Sequence, residues 1–178
     1  LWVPAKPSGL KRLTHLASFA LSSFPIVLKQ IFWKPDVVIC IEPPLFNSFS
    51  AIITSKLSGA KSILHIQDFE VDAAFELGIV KAGWLKSFIY AVERFLMNRF
   101  DRVSTISEAM LDKLNKKGVD SIKQLFFPNW VDTAFIYPLE NPSIYRAELN
   151  ISLSKAVALY SGNMGEKQGL EIVIQAAK

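Results

Sequence analysis

The stretch DVVICIEPPLFNSFSAIITSKLSGAKSILHI, residues 36–66, decides the fold class. It begins and ends with mostly apolar runs, 36–41 and 61–66, a pattern typical of strands buried on both faces of a parallel sheet. Between them, Asn47 is placed to cap a helix that Gly59 would end. A strand, a helix and a second strand in this order predict a parallel βαβ unit with a right-handed crossover.

The same alternation continues towards the C-terminus. Apolar residues recur at helical spacing over residues 82–99, and further strands are predicted at 102–106 and 124–127. Thr105 or Ser107 would cap the helix between those two strands. We therefore predict an α/β fold built on a Rossmann-like parallel sheet. Ligands of such sheets collect beyond the carboxyl ends of the strands.

Polar and turn-forming residues lie at the ends of all four predicted strands at that edge: Glu42 with the two prolines after it, 65–68, 105–107 and 128–132. His65 and Asp68 lie at the end of the second strand, and the Pro128–Asn129 turn follows the fourth. An aspartate in this position can hold a substrate hydroxyl or act as a base. The alternatives are that Asp68 caps the next turn, that His65 is a buried histidine, and that the proline turn is structural.

A second candidate site lies near the C-terminus, in YSGNMGEKQGLE, residues 160–171. It follows a predicted strand at 156–160, leads into a predicted helix, and contains three glycines: Gly162, Gly165 and Gly169. Their spacing is neither that of a dinucleotide fingerprint nor that of a Walker loop. Glycines nevertheless let the backbone approach a ligand, and the first N–H groups of a helix can bind phosphate. Lys167 could add a positive charge; the alternative is a plain strand–helix turn.

Composition narrows the class of protein. With 51% hydrophobic and 20% charged residues there is no case for disorder. The net charge of +4 suits polyphosphates, anionic membranes or nucleic acid, but the cations are dispersed, so nucleic acid is not an expected partner. The single cysteine, Cys40, excludes a disulfide framework and favours a reducing compartment. No cofactor and no metal requirement are expected.

The N-terminal stretch, residues 10–33, is long and largely apolar but contains charged residues and Pro25. It fits a membrane span poorly. One interpretation is a helix kinked near Pro25 that covers a sheet face. The other is a membrane-surface helix in which Lys6, Lys11 and Arg12 meet lipid headgroups.

The domain organisation follows from the prolines after the fourth strand. We predict a Rossmann-like domain over residues 1–137, a linker over 138–150, and the first βα unit of a second domain over 151–178. A lone βα unit cannot bury both of its faces. The chain is therefore expected to be incomplete at both ends, with N-terminal strands missing from the first domain.

Four stretches together resemble the retaining GT-B glycosyltransferases of the family 4-like group, and most closely the colanic-acid and related exopolysaccharide transferases. They are HIQDFEVDAAFELG (65–78), TISEAMLDKL (105–114), FFPNWVD (126–132) and YSGNMGEKQGLE (160–171). The resemblance covers nearly the whole chain. It implies an incomplete N-terminal acceptor domain, followed by the start of a nucleotide-sugar domain.

The same resemblance implies the reaction. A sugar would pass, with retention of configuration, from a nucleotide-sugar to a polysaccharide or lipid-linked oligosaccharide acceptor. The enzyme would work in the cytoplasm, or peripherally at the inner face of the membrane. This piece alone would be inactive, because half of the donor site would lie outside it.

The resemblance also assigns residues to the donor site. The loop would face the donor diphosphate through six residues: Gly162, Asn163, Gly165, Lys167, Gln168 and Gly169. Many relatives carry arginine at the position of Asn163 and lysine at that of Gln168, so the usual cations are replaced here. Lys167 and the helix dipole could supply part of the missing positive charge.

On the acceptor side, the family's His-Asp pair aligns with Gln67 and Asp68. His65 lies two residues before Gln67 and so on the same face of a strand. Asp68 and His65 are therefore the candidate catalytic residues.

Two other functions remain open from the sequence. An NAD-dependent oxidoreductase or epimerase of Rossmann type would need G-x-G-x-x-G after a strand and an acidic residue further on. A non-catalytic membrane-associated module would use the N-terminal helix, with the glycine loop as a structural turn.

Overall fold

The structure, a computed structural model, describes residues 2–4, 9–43, 45–76, 83–165 and 168–177. The chain divides into two compact units, Leu1–Asn129 and Trp130–Lys178. Each unit is described by itself.

The first unit is built on a four-stranded parallel sheet. Its strands are β1 Val37–Glu42, β2 Lys61–Ile66, β3 Arg102–Thr105 and β4 Gln124–Phe126, in the spatial order β1-β2-β3-β4. Helices connect the strands, as parallel pairing requires. The predicted α/β class and Rossmann-like parallel sheet are therefore confirmed.

In the part of this unit that the structure describes, five α-helices accompany the sheet: α1 Gly9–Trp33, α2 Ser48–Ser58, α3 Glu70–Glu76, α4 Gly83–Met97 and α5 Glu108–Lys116. α2 ends at Gly59, whose φ of 77° lies in the left-handed region that favours glycine. α5 begins after Ser107, whose hydroxyl accepts a hydrogen bond from the Met110 N–H at 3.3 Å. Ser107, not Thr105, is thus the N-cap.

The hydrophobic core lies on one face of the sheet. Strand residues Leu64, Ile66 and Val103 pack there with apolar residues of the helices and turns: Ala51, Phe69, Met97, Phe100 and Leu114. On the other face, β1 exposes Ile39 by 61% and Ile41 by 58%. The prediction that β1 is buried on both faces is therefore wrong, because none of the described residues covers its second face.

α1 runs without interruption through Pro25. It packs along α2, where the Thr54 hydroxyl donates to the Val27 carbonyl at 3.3 Å, and none of its described side chains is buried. The interpretation of α1 as a helix covering a sheet face is therefore wrong. Its segment Thr14–Trp33, with a mean hydropathy of 1.4, has the length and composition of a membrane-spanning helix, a test that core helices of soluble proteins also pass.

The described residues of the second unit form two short α-helices, α6 Tyr145–Glu148 and α7 Glu171–Ala176. The strand predicted over residues 156–160 is not formed; these residues have no regular structure and are exposed. A strand needs a neighbour to complete its backbone hydrogen bonds, and the described part of this unit offers none. Large apolar side chains such as Leu153, Leu159 and Ile172 are exposed here.

Candidate functional site

Polar side chains meet at the carboxyl edge of the sheet, on the face opposite the core. In the strand register His65 of β2 stands beside Ser104 of β3 and Ile41 of β1, so the three side chains point to the same side. Gln67 follows the end of β2, and Asn129 lies three residues after β4 ends at Phe126. The topology therefore brings together residues that are far apart in sequence.

Both ring nitrogens of His65 are engaged. Nδ1 lies 2.9 Å from the Ser104 hydroxyl oxygen, and Nε2 lies 2.7 Å from the side-chain nitrogen of Gln67. The Phe127 ring packs edge-on against the imidazole, with the ring centroids 5.6 Å apart. Burial lowers the pKa of His65, which favours the neutral ring.

Gln67 and Asn129 form a reciprocal pair of side-chain amides. Gln67 Nε2 donates to Asn129 Oδ1 at 3.0 Å, and Asn129 Nδ2 donates to Gln67 Oε1 at 3.2 Å. The pair ties the loop after β2 to the turn after β4. Sequence reasoning had located both turns at this edge but missed the pairing, since no local pattern reports a contact between residues 62 positions apart.

Asp68 lies at the same edge, half-buried between Gln67 and the start of α3. Its backbone carbonyl accepts the Glu70 N–H at 3.1 Å, which begins the turn into that helix. The structure thus places Asp68 and His65 at one edge of the sheet, where the sequence predicted them. Their catalytic role remains a prediction.

Glu42 lies at the end of β1, at the edge where the sequence predicts it, but the sequence does not indicate the burial of its side chain. Its side chain is fully buried, and neither carboxylate oxygen has a hydrogen-bond partner among the described residues. Burial, and next the negative charge of Glu93, raise the pKa of Glu42 to about 8. Its backbone carbonyl accepts the Gln67 N–H at 3.1 Å, so β1 supports the loop that carries the amide pair.

An ion-pair network lies behind this edge and joins α3, α4 and the end of α5. The Lys117 ammonium lies 3.0 Å from Asp72 and 2.6 Å from Glu93, and Lys113 lies 2.8 Å from Asp72. Burial alone would raise the pKa of Asp72, but hydrogen bonds with the two lysines and with Tyr90, together with the charge of Lys117, outweigh it and lower that pKa. Lys117 also lies over the Tyr90 ring, 4.6 Å from its centroid. The network fixes the helix that follows Asp68.

In the second unit the glycine loop is folded by local hydrogen bonds. The Tyr160 hydroxyl donates to the Asn163 carbonyl at 2.9 Å, and the Gln168 N–H donates to the Gly165 carbonyl at 3.0 Å. Gly169 has a φ of 57°, in the left-handed region. The side chains of Asn163 and Gln168 are exposed, whereas the predicted donor contact Lys167 lies outside the described residues.

Within the ranges that the structure describes, no group of three or more histidine, cysteine, aspartate or glutamate side chains could hold a metal ion. The chemistry available at the sheet edge is that of amides, one neutral histidine and carboxylates. Such groups orient hydroxyl-bearing ligands by hydrogen bonds.

Comparison with known proteins gives two findings. Residues 1–130 match the family described as glycosyl transferase 4-like domain. The chain is 46% identical, over 182 residues, to a protein of Escherichia coli (strain K12) provisionally named colanic acid biosynthesis glycosyl transferase WcaI. That alignment covers 99% of this chain and 45% of the relative, so the chain spans less than half of that protein's length. No solved structure matches the chain.

Proposed function

Since the chain belongs to the glycosyl transferase 4-like family, we propose that it is part of an enzyme that transfers a sugar from a nucleotide-sugar donor to an acceptor. The observation that carries this proposal is the extent of the match. It ends at residue 130, and the compact unit that bears the amide pair and Asp68 ends at Asn129. The family match also speaks against an NAD-dependent oxidoreductase or epimerase.

The acceptor, in this proposal, is a polysaccharide or a lipid-linked oligosaccharide, in line with the colanic acid named for the E. coli relative. Asp68 would hold the acceptor hydroxyl. The transfer would retain the anomeric configuration, with the leaving phosphate assisting on the same face of the sugar. The engaged nitrogens of His65 support this mechanism, since that ring presents no lone pair for attack on the sugar.

The proposed domain arrangement places the acceptor side in residues 1–137, a linker in 138–150, and the beginning of the nucleotide-sugar domain in 151–178. Two observations support it. β1 exposes apolar side chains on one face, as expected of a strand that further strands or helices would cover. The second unit exposes Leu159, Ile172 and Ile174, as expected of a βα unit that needs a larger core.

The donor diphosphate, in this proposal, lies against the glycine loop. The described residues expected to line it are Gly162, Asn163, Gly165, Gln168 and Gly169. Gly169 is the glycine that the backbone favours, because its φ of 57° lies in the left-handed region. Backbone N–H groups, rather than side-chain cations, would then neutralise the phosphates.

A peripheral membrane contact would suit a lipid-linked acceptor. α1, the helix that the sequence singles out, is apolar and not buried. α4 exposes three aromatic residues, Trp84, Phe88 and Phe95, together with Arg94, and the exposed Arg99 follows two residues after the helix ends. Aromatic and basic residues on one amphipathic helix favour the surface of an anionic bilayer.

The test compares two lengths of the protein. We expect this 178-residue chain to turn over none of a panel of nucleotide-sugars, and the full gene product to release nucleoside diphosphate from one of them. Turnover by the 178-residue chain would contradict the proposed division of the donor site. No turnover and no nucleotide-sugar binding by the full gene product would contradict the transferase itself.

In the full gene product, Gly169→Ala should weaken donor binding by about tenfold or more, since the left-handed φ resists a side chain. Gly59→Ala is the matched control, because Gly59 also has a positive φ, 77°, with nothing within 4 Å of an added Cβ. Calorimetric titration with the donor should separate the two variants. Equal donor affinity of the two variants would show that the glycine loop is not part of the donor site.

A further inference from the structure

We infer that Gln67 and Asn129 are positioning residues, which hold His65 as the neutral tautomer protonated on Nδ1 and occupy the lone pair of its Nε2. His65 then orders the edge of the sheet and is not the base that removes the acceptor's proton. That a sugar acceptor binds at this edge rests on the proposed function. The tautomer is a property of this chain alone.

The amide pair defines the role of Nε2. The oxygen of the Gln67 side chain accepts from Asn129 at 3.2 Å and so faces Asn129. The nitrogen of Gln67 has two hydrogens: one is donated to Asn129 Oδ1 at 3.0 Å, and the other points to the ring at 2.7 Å. A donor at this distance requires an acceptor, so Nε2 carries no proton.

The serine on the other side of the ring defines the role of Nδ1. The Ser104 hydroxyl lies 3.5 Å from the Leu64 carbonyl, which can only accept. A hydroxyl has one hydrogen, and once that hydrogen is given to Leu64 its oxygen accepts from Nδ1 at 2.9 Å. Both sides of the ring therefore specify the same tautomer.

The surroundings of His65 oppose its positively charged form. The side chain is 8% exposed and packs against Phe127, and a proton on Nε2 would face the N–H of Gln67. Two donors pointing at each other repel. Protonation would break the contact with Gln67, so the ring stays neutral while the amide pair is intact.

A second orientation of the Gln67 and Asn129 amides would keep the same number of hydrogen bonds between these two side chains. If both amides were turned over, the oxygen of Gln67 would face the ring and Nε2 would have to carry the proton. The Ser104 hydroxyl would then turn from Leu64 towards Nδ1. The two arrangements differ in the nitrogen that carries the proton, and this is measurable.

The experiment is long-range ¹H–¹⁵N correlation spectroscopy of the histidine side chains in this chain. The sequence has two histidines, His15 and His65, so the spectrum is simple and His15 serves as an internal control. We expect the unprotonated nitrogen of His65 to be Nε2 throughout the neutral range. A protonated Nε2 in the wild-type chain overturns the inference without any variant.

Two near-isosteric substitutions form the matched pair. Gln67→Glu replaces the donor to Nε2 by a carboxylate, so His65 should take up a proton there, and its pKa should rise by about one unit or more. Asn129→Asp keeps the acceptor for Gln67 Nε2, so the wild-type tautomer should persist. The inference would also be overturned if His65 kept the wild-type tautomer and the wild-type pKa in the Gln67→Glu variant.

The outcome is independent of transferase activity, since no donor or acceptor is present in the spectrum. In the full gene product, the Gln67→Glu variant should gain an ionisation in the pH profile of transfer that the wild type lacks. A wild-type protein with the expected tautomer but no turnover would contradict the proposed function and leave the tautomer standing.

Discussion

Glu42 is the residue at which burial and charge conflict most directly. Its pKa is raised from an ordinary 4.5 to about 8, first by burial and then by the charge of Glu93. A raised carboxyl pKa means that the folded state binds the proton more tightly than the unfolded chain. Stability from this group is therefore complete below pH 4.5 and is lost as the pH rises towards 8.

We expect Glu42→Gln to remove this pH dependence. The variant should match the wild type near pH 4.5 and exceed it at pH 8.5 by on the order of 4–5 kcal/mol, since each pKa unit corresponds to about 1.4 kcal/mol. Urea unfolding at several pH values measures the difference. The exposed Glu148 provides the control, because Glu148→Gln should follow the wild-type curve. Parallel curves for Glu42→Gln and the wild type would refute the expectation.

The location of a side chain in the fold was predictable where it depends only on the position of the residue along its own strand. His65 and Asp68 were placed at the ligand edge because they follow a strand of a parallel sheet. The pairing of Gln67 with Asn129 was not predictable, since it depends on which strands are neighbours. The burial of Glu42 was missed for a related reason: the sequence shows a strand ending in glutamate, but not the helices that cover it.

At the scale of the element, α2 and α5 begin in different ways. Ser107 caps α5 through its hydroxyl, whereas Asn47 precedes α2 without a side-chain capping bond, and its buried Oδ1 has no partner among the described residues. An N-cap hydrogen bond is worth about 1 kcal/mol. An unpaired buried oxygen contributes no such stabilisation.

We therefore expect Ser107→Ala to lower the free energy of unfolding by about 1 kcal/mol, and Asn47→Ala to leave it unchanged or raise it slightly. Urea denaturation of the two single variants against the wild type measures this. Equal losses in both would show that the two N-caps do not differ in the way the hydrogen bonds indicate.

Elements were predicted well where local chemistry defines their ends. β2 was predicted residue for residue, and α2 ends at Gly59 as expected, because glycine adopts the left-handed conformation that stops a helix. The strand at residues 156–160 was predicted from an apolar run alone. Strand formation also needs a partner, so the same apolar residues lie exposed without one.

At the scale of the whole molecule, the sequence identified the α/β class and the family. The alternation of strands and helices leaves few topologies open. It did not show which surfaces stay uncovered, since an amphipathic pattern marks an apolar face but not its partner. α1 and α4 show this most clearly, because both keep large apolar side chains exposed.

Vesicle binding tests whether the exposed apolar side chains of α1 and α4 contact a membrane. We expect the chain to co-sediment with phosphatidylglycerol-containing vesicles and not with pure phosphatidylcholine, and to be released by salt, since exposed cations draw it to anionic lipid. In the double variant Trp84→Ser with Phe88→Ser, on α4, the partition coefficient between vesicles and water should fall about tenfold. Two aromatic rings partly inserted into the bilayer would bury enough apolar surface to account for that difference.

The matched control places the same two changes on α1, where Phe32 and Trp33 are also exposed. Phe32→Ser with Trp33→Ser should retain more of the binding than the α4 variant. The exposed cations beside this pair are lysines, Lys29 and Lys34, whereas those beside the α4 aromatic residues are arginines, which also stack on aromatic rings and bind phosphate through two N–H groups. A greater loss of vesicle binding in the α1 variant would show that α1, the helix that the sequence indicates, makes the membrane contact instead of α4. Equal binding to neutral and anionic vesicles would exclude an electrostatic contact.

The order of the sheet has a consequence for biosynthesis. β2 pairs with β1, β3 with β2, and β4 with β3, so every added strand joins one that precedes it in the chain. Translation delivers about 5–20 residues per second, far more slowly than helices and local contacts form. Each strand that leaves the ribosome therefore meets a template that is already made. The sheet is able to grow vectorially during synthesis, one βα unit at a time, before the rest of the chain exists.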